Sequence, residues 1–461
     1  MMKIMAFGRM AVLSIICFSF SLSAGARAGA GARSKGDVRM TAETQAAGAA
    51  PAKDVAEAPL AGPGRAVLPD GSFDYRFDGR ISRGVLENYL ARAITEQDLL
   101  KGSGNVDDNI RMLKSIGAKF AGRSIILWGG EATLPQLLAT GRPIAQKVHA
   151  ADPDIILEAA EFEIVTRQVD QLAIPDWVFR EFKLPVEARH FRYEDMLYPD
   201  GRLKDQWGRD ASVPDMSRLE TRLWFFYLAA SYINIGVEAI HFGQVELMDK
   251  NDRDHAFWFD ELTRIRYYAT VHARRHLVLC DAHVPSGGIV RDGKLLLDFH
   301  AFPLRIKEIA DRPHEAKLQV GFLDSLYGRS KGGITPSGWS CEHLPYLVEF
   351  DNYGASGHEG EAGAGDSIWI WGYDEIGWFA HQNGADRNAW LKYAWNWLRT
   401  ADVNGYVEMP GSRTLAAPVD GNIRWYWANT ASPATPTGFG QEETIKEIWA
   451  HDTPKPADMG R

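Results

Sequence analysis

Carboxylates recur in this chain wherever an apolar run gives out. Residues 124–128 are followed by Glu131, residues 155–160 by Glu161 and Glu163, residues 191–193 by Glu194 and Asp195, and residues 239–245 by Glu246. Later runs end at Asp281, at Asp324, and at Glu349 with Asp351, while an early run contains Glu87. Apolar strands gain no stability from acids gathered at one end, because carboxylates are seldom buried without partners. Singly, each acid reads equally well as a cap for the following helix or as the partner of a nearby arginine. Together they describe a ring of acids around one cleft, a setting in which one carboxyl is kept protonated and another ionised. Two such groups flanking a glycosidic bond divide the acid and base work of its hydrolysis, roughly 5 Å apart for retention and roughly 6.5–9.5 Å for inversion.

The histidines open a second chemistry. His241, His283 and His300 fall at or near successive strand ends, two of them within Asp281-Ala282-His283 and Asp298-Phe299-His300. Alternate strand residues face the same side, so these side chains could converge on a divalent metal that activates water. The same spacing equally lets a carboxylate orient an imidazole toward a substrate. The first strand carries no His-x-His pair of the kind amidohydrolase-like barrels use, so no metal ligand and no cofactor is assigned. Glu131, His241, Gln244, Asp281, His283 and His300 are taken as substrate-binding candidates. Trp128 and Trp371 join them, within a wider set of aromatics after strands that includes Phe162, Tyr193, Trp207, Trp339, Tyr353, Trp369 and Tyr373. Flat aromatic faces in a cleft suit sugar rings, although most tryptophans simply pack.

The elements that must position these groups alternate between apolar strands and amphipathic helices, as in a parallel sheet covered by helices. Asn105 can cap a helix that ends at Gly117. Ser217-Arg218-Leu219-Glu220 reads as a capping box opening a long helix over residues 217–235, which feeds the strand at 238–246. Strand starts at Val85, Ser124, Ile155, Phe191, Ala239, Leu277, Leu318 and Tyr346 give an α/β, (β/α)8 TIM-type barrel over residues 73–413, closed by a helix near 387–399. Arg291-Asp292-Gly293 predicts a hairpin ahead of Leu295. If the first strand lies outside the barrel and the Leu295 segment replaces it, the strand at Ala239 moves from fifth to fourth. Residues 414–461 form a C-terminal appendage, short β structure or tail.

In this arrangement the chain resembles the TIM-barrel glycoside hydrolases, in which a Glu after one strand is the acid/base and a carboxylate from a strand across the barrel is the nucleophile. The Asn-Glu pair of one large clan is replaced here by Gln244-Val245-Glu246. The resemblance implies Glu246 as acid/base. Its partner is Asp324 if the strand at Ala239 is fourth, and Glu163, Glu194 or Asp351 if it is fifth. A carbohydrate substrate follows, with a metal-dependent hydrolase or a non-catalytic sugar-binding barrel as the alternatives.

Composition bounds the partners. A formal net charge of -9 and the lack of any Lys/Arg block argue against nucleic acid. Lys3 and Arg9, the apolar run 10–22 and the small residues 24–26 read as a secretory signal over residues 1–26, which predicts a periplasmic or secreted protein without a stable membrane anchor. Residues 27–72 read as a flexible leader rich in Ala, Gly and Pro. Cys280 and Cys341 could pair or remain free thiols.

Overall fold

The computed structural model describes residues 65–363 and 369–452, so the segment read as a secretory signal lies outside the described residues, as does the leader up to residue 64. Among the described residues no helix is long and apolar enough to cross a membrane.

The protein is a mixed α/β structure built on one ten-stranded, strongly curled sheet. Its strands are β1 (Ala93–Glu96), β2 (Phe120–Ile126), β3 (Ile156–Ala160), β4 (Ala239–Gln244), β5 (Leu279–His283), β6 (His300–Pro303), β7 (Tyr346–Glu349), β8 (Gly405–Val407), β9 (Met409–Val419) and β10 (Ile423–Trp427). From β1 to β8 the strands lie side by side in chain order and pair in parallel. β9 pairs in parallel with β1 and turns back antiparallel into β10. The two edges of the parallel series therefore meet one stretch of chain: Val407 lies opposite Val348 of β7, and Met409 lies opposite Ile94 of β1. Glu408, between them, donates its N–H to the Val348 carbonyl at 2.9 Å.

The helices are α1 (Arg83–Leu90), α2 (Val106–Ile116), α3 (Leu134–Ala151), α4 (Leu219–Ile235), α5 (Ala256–His272), α6 (Gly384–Ala401) and α7 (Glu442–His451). Apart from α1, they pack on the outer face of the sheet, where Ile94, Ile125, Leu157, Ile240, Cys280 and Val348 belong to the larger core. The inner face differs from one level to the next. Ala93, Phe120, Ile156, Ala239, Leu279, Phe299, Leu347 and Tyr406 form a second, smaller core with Val85, Leu86, Tyr89 and Leu90 of α1. Side chains two residues on return to the same face of a strand. The next inner level is therefore Thr95, Gly122, Glu158, His241, Asp281, Ala301, Glu349 and Glu408: an apolar floor carries a polar storey.

Several sequence expectations hold locally. Asn105 accepts from the Asp108 N–H, Gly117 ends α2 at φ +77°, and Val290–Arg291 pairs with Lys294–Leu295 through Asp292 and Gly293, both at positive φ. Others are corrected. Residues 85–90 are helix α1, because Ser82 caps it and Val85, Leu86, Tyr89 and Leu90 recur at helical spacing. Residues 191–193 lead into the single turn Tyr193–Met196, and residues 318–322 are loop and turn. The sixth strand begins at His300, a few residues beyond the Leu295 hairpin, and residues 405–427 supply the last strands. The strand carrying His241 is thus fourth. The capping box at Ser217 does not form: Glu220 accepts from Arg189 at 2.7 and 2.9 Å and from the Arg192 N–H, and α4 begins at Leu219. Cys280 and Cys341 are free thiols.

Gly122 is set by the polar storey around it. A Cβ there would collide with Glu408 Oε1 and lie 3.3 Å from Glu158 Oε2. Overpacking of this kind costs ~1–3 kcal/mol. Gly122→Ala is expected to lower the denaturant midpoint accordingly, and Glu408→Ala in the same chain to restore part of the loss; an unchanged midpoint would contradict this packing.

Candidate active site

The polar storey is organised by Arg123, which a register shift in β2 and a left-handed backbone (φ +58°) turn inward. Its guanidinium reaches across to β7. Nη2 donates to Glu349 Oε1, Nε donates to Glu349 Oε2 at 3.2 Å, and Nη2 lies 3.3 Å from His283 Nε2. Arg413 of β9 brings a second guanidinium to 3.5 Å from Glu349 and 3.3 Å from Asp351. His283 Nε2 completes the clamp at 3.1 Å from Glu349. Burial alone would raise Glu349, but Arg123 and Arg413 hold its carboxyl well below the usual range, so it is ionised.

The remaining acids of this level run the other way. Burial and the neighbouring charges of Glu349 and Glu158 push Glu408 up to about 8, while its Oε1 accepts from Thr95 at 3.0 Å. Burial, in spite of Arg123, raises Glu158, and burial together with Glu158 raises Asp281 well above its ordinary value. Asp281 lies 2.6 Å from His241 Nδ1. Burial, then the charge on Arg123, lowers His241 well below its ordinary range, and its Nε2 is buried without a partner. One ionised carboxylate and acids that burial pushes toward their neutral form thus share this level of the sheet interior.

Above this level the mouth is formed by residues that follow the strands. Phe162, after β3, lies under the Arg123 guanidinium at 5.3 Å and beside His241 at 5.9 Å. Glu163 is buried, its Oε2 accepting from the Gln244 N–H at 2.8 Å and its Oε1 from Gln244 Nε2 at 2.7 Å. Gly243 (φ +57°) makes room, since a Cβ there would strike Glu163 Oε2. Trp128, 47% exposed, stands edge-on to Phe162 and to Trp207, whose Nε1 donates to the Glu163 carbonyl.

The structure brings together Trp128, Glu163, His241, Gln244, Asp281, His283 and Asp351. Glu246 stands on the turn Val245–Met248 just beyond β4, accepting from the Ser286 N–H at 2.9 Å. Others stand apart. Glu194 is on the surface with Arg167 and Lys204, which lower its pKa through hydrogen bonds. Asp324 lies in the loop after residue 318 and pairs with Arg305 at 2.7 Å. Glu131 is buried and holds the Thr166 N–H at 2.7 Å, joining the loops after β2 and β3. His300 opens β6 rather than ending it; it faces Ser330 at 2.9 Å, and burial lowers it to about 3. Trp371 packs on the hairpin after β6, its Nε1 donating to the Ile309 carbonyl at 3.3 Å. Among the described residues no group of three or more His, Cys, Asp or Glu side chains is arranged to hold a metal ion.

Arg123, Glu158, Glu408 and Arg413 were not among the sequence candidates. Glu158 sits alone in Ile155-Ile156-Leu157-Glu158-Ala159-Ala160, and Glu408 in Tyr406-Val407-Glu408-Met409. A charge inside an apolar run is the signal that marks both.

No protein-family model and no curated protein matches the chain. Structures similar to parts of it are glycoside hydrolases. They include a debranching enzyme of Nostoc punctiforme (11% identity, 42% of this chain and 41% of that one, TM-score 0.28). A GH27 β-L-arabinopyranosidase of Geobacillus stearothermophilus is matched at 15% identity (42% and 46%, TM-score 0.26). An isomalto-dextranase of Arthrobacter globiformis T6 is matched at 12% (63% and 43%, TM-score 0.27). The matched part spans less than half of each of these proteins, and no family is assignable. Likeness at this level carries no argument for activity, which rests on the residues themselves.

The raised Glu408 has a consequence for stability. Its proton is held more tightly folded than unfolded, so its contribution is complete below its ordinary value of 4.5 and is lost as pH rises toward about 8. Glu96, which burial also pushes up to about 8, acts in the same direction. Glu408→Gln is expected to flatten the decline of the urea midpoint between about pH 5 and 8; an unchanged slope would mean that Glu408 is not held neutral.

Proposed function

We propose that this protein is a carbohydrate-active hydrolase that cleaves a glycosidic bond at the mouth of the curled sheet. The observation that carries the reading is the divergence of carboxyl environments at one place: Glu349 ionised between two arginines, and neutral acids beside it. Diverging pairs of this kind are how one site runs acid and base chemistry together. In this reading Glu349, at the end of β7, is the ionised carboxylate that attacks or activates water. Glu163, fixed by Gln244 across the mouth, is the second carboxyl of the pair and flanks the bond to be cleaved. His283 and His241 orient the substrate, and Trp128 offers a face for a sugar ring. Glu246, the acid/base that the sequence favoured, becomes a neighbour of the Ser286 loop, and Asp351 a partner of Arg413.

The same reading takes the sheet as a closed (β/α)8 barrel, with residues 405–412 as the closing strand. The support is the pairing of that stretch with β7 on one side and β1 on the other. Catalytic groups of such barrels lie at the C-terminal ends of strands, where Glu349 and Glu163 stand. The basic and apolar N-terminal sequence supports export to the periplasm or the medium.

Hydrolysis of a panel of aryl glycosides and oligosaccharides tests the assignment. Glu163→Gln and Glu349→Gln are expected to lower kcat by about 10²-fold or more. Glu194→Gln, which touches only a surface ion-pair cluster, is expected to match the wild type. Full turnover in either of the first two variants would refute the pair.

A further inference from the structure

Arg123 and Arg413 carry more hydrogen-bond donors than the carboxyls around them take up. A guanidinium presents five N–H groups in a fixed fork and accepts nothing. Arg123 directs Nε and Nη2 to Glu349. Arg413 turns Nη2 toward Glu349 at 3.5 Å, Asp351 at 3.3 Å and Asn352 Oδ1 at 3.3 Å. Among the described residues, Arg123 Nη1 and Arg413 Nε and Nη1 are buried without an acceptor, on side chains only 2% and 4% exposed. Arg413 points into the sheet interior. Strand neighbours face opposite sides, and Ser412 and Thr414 on either side of it turn to Glu96 and Gln97. Its charge lowers His241 on β4 and holds down Glu349 on β7, so it reaches the space those strands enclose. Both guanidiniums thus converge on Glu349, and the groups beside them open to the rim: the side chains of His283 and Asp351 are each 13% exposed. A buried charged donor without an acceptor is costly, and here three such nitrogens belong to the two arginines that grip one carboxylate.

We propose that these nitrogens receive the carboxylate of a uronic-acid residue, so that the site takes an acidic sugar rather than a neutral one. The proposal rests on the hydrolase reading for the sugar and on the two guanidiniums for the charge. Guanidinium–carboxylate contacts are planar and charge-assisted, the form that Arg123 and Glu349 already take. The hydroxymethyl group of a neutral hexose would bring one oxygen and no charge to the same nitrogens. A site built around buried polar groups rejects the analogue that leaves them unpaired. Burial pushes Glu408, Glu158 and Asp281 toward their neutral form, so they add little repulsion against an incoming carboxylate.

The full chain is titrated calorimetrically with di- and trisaccharides of glucuronate and galacturonate, with their methyl esters, and with the glucose and galactose counterparts; KM is measured wherever turnover occurs. The ester keeps the shape of the sugar and removes its charge. Arg413→Lys keeps a cation beside Asp351 but lacks Nε and Nη1, and its thermal denaturation is recorded in parallel. The wild type is expected to bind the free acids at least about tenfold more tightly than their esters, and Arg413→Lys to lose most of that preference while binding the esters as the wild type does. Should the variant unfold, the comparison of acid with ester in the wild type decides alone. Equal affinity for acid and ester, no binding of any uronate, or a preference retained in Arg413→Lys overturns the proposal. A preference for the acids that depends on Arg413, without hydrolysis of any glycoside, keeps the acidic-sugar site and removes the hydrolase reading. Hydrolysis confined to neutral glycosides and indifferent to Arg413→Lys does the reverse.

Discussion

The buried pair of Arg123 and Glu349 allows the inside of this sheet to be polar. An unpaired guanidinium or carboxylate at that depth would cost several kcal/mol. The pair forms only because β2 and β7 face each other across the sheet interior, and because the irregular turn of β2 at Arg123 swings a side chain inward out of register. Burial, joined for Glu408 and Glu158 by the charge on Glu349 and for Asp281 by that on Glu158, keeps the neighbouring acids from ionising cheaply. Glu408 and the Glu158–Asp281 pair therefore keep protons, and Gly122 leaves the space they need. One ion pair thus supplies the single buried carboxylate of a storey whose other acids burial pushes toward their neutral form, on top of an apolar floor that packs in the ordinary way.

Such a storey is a poor device for stability, since well-packed hydrophobic residues would serve as well or better. Its retention is understandable if the charges act on something. The two anchored carboxylates nearest the mouth, Glu349 and Glu163, are gripped by different means: one by cations, the other by an amide and a backbone N–H. Those environments suit different tasks, and they stand beside aromatic residues that tolerate a flat, hydroxylated ligand.

Much of the architecture was legible in the chain. The strand–helix alternation, the cap at Asn105, the glycine at the end of α2 and the Asp292-Gly293 hairpin depend on local chemistry, and the structure bears them out. The errors share a cause. Residues 85–90 are apolar enough for a strand, but the Ser82 cap and the spacing of Val85, Leu86, Tyr89 and Leu90 make them a helix that packs on the sheet floor. His300–Pro303 and Gly405–Val407 are too short to declare themselves without neighbours. Glu158 and Glu408 lie within apolar runs rather than at strand ends, and only the curl of the sheet brings such residues together with the groups at the ends. Glu194 and Asp324 were plausible for the same reason, but arginines at the surface claim them.

The segment that spans both edges of the parallel series lies late in the chain. During synthesis β1 is among the first strands to emerge, yet its outer neighbour, β9, is made only after some three hundred further residues. Until then β1 and β7 each present unpaired N–H and C=O groups, the kind of edge that recruits other strands. The nascent protein therefore passes through a long interval as an open sheet, and its acidic interior cannot reach its final charge state until Glu408 and Arg413 arrive. The order of translation thus makes the arrival of Glu408 and Arg413 and the pairing of residues 405–412 with β7 and β1 one late event.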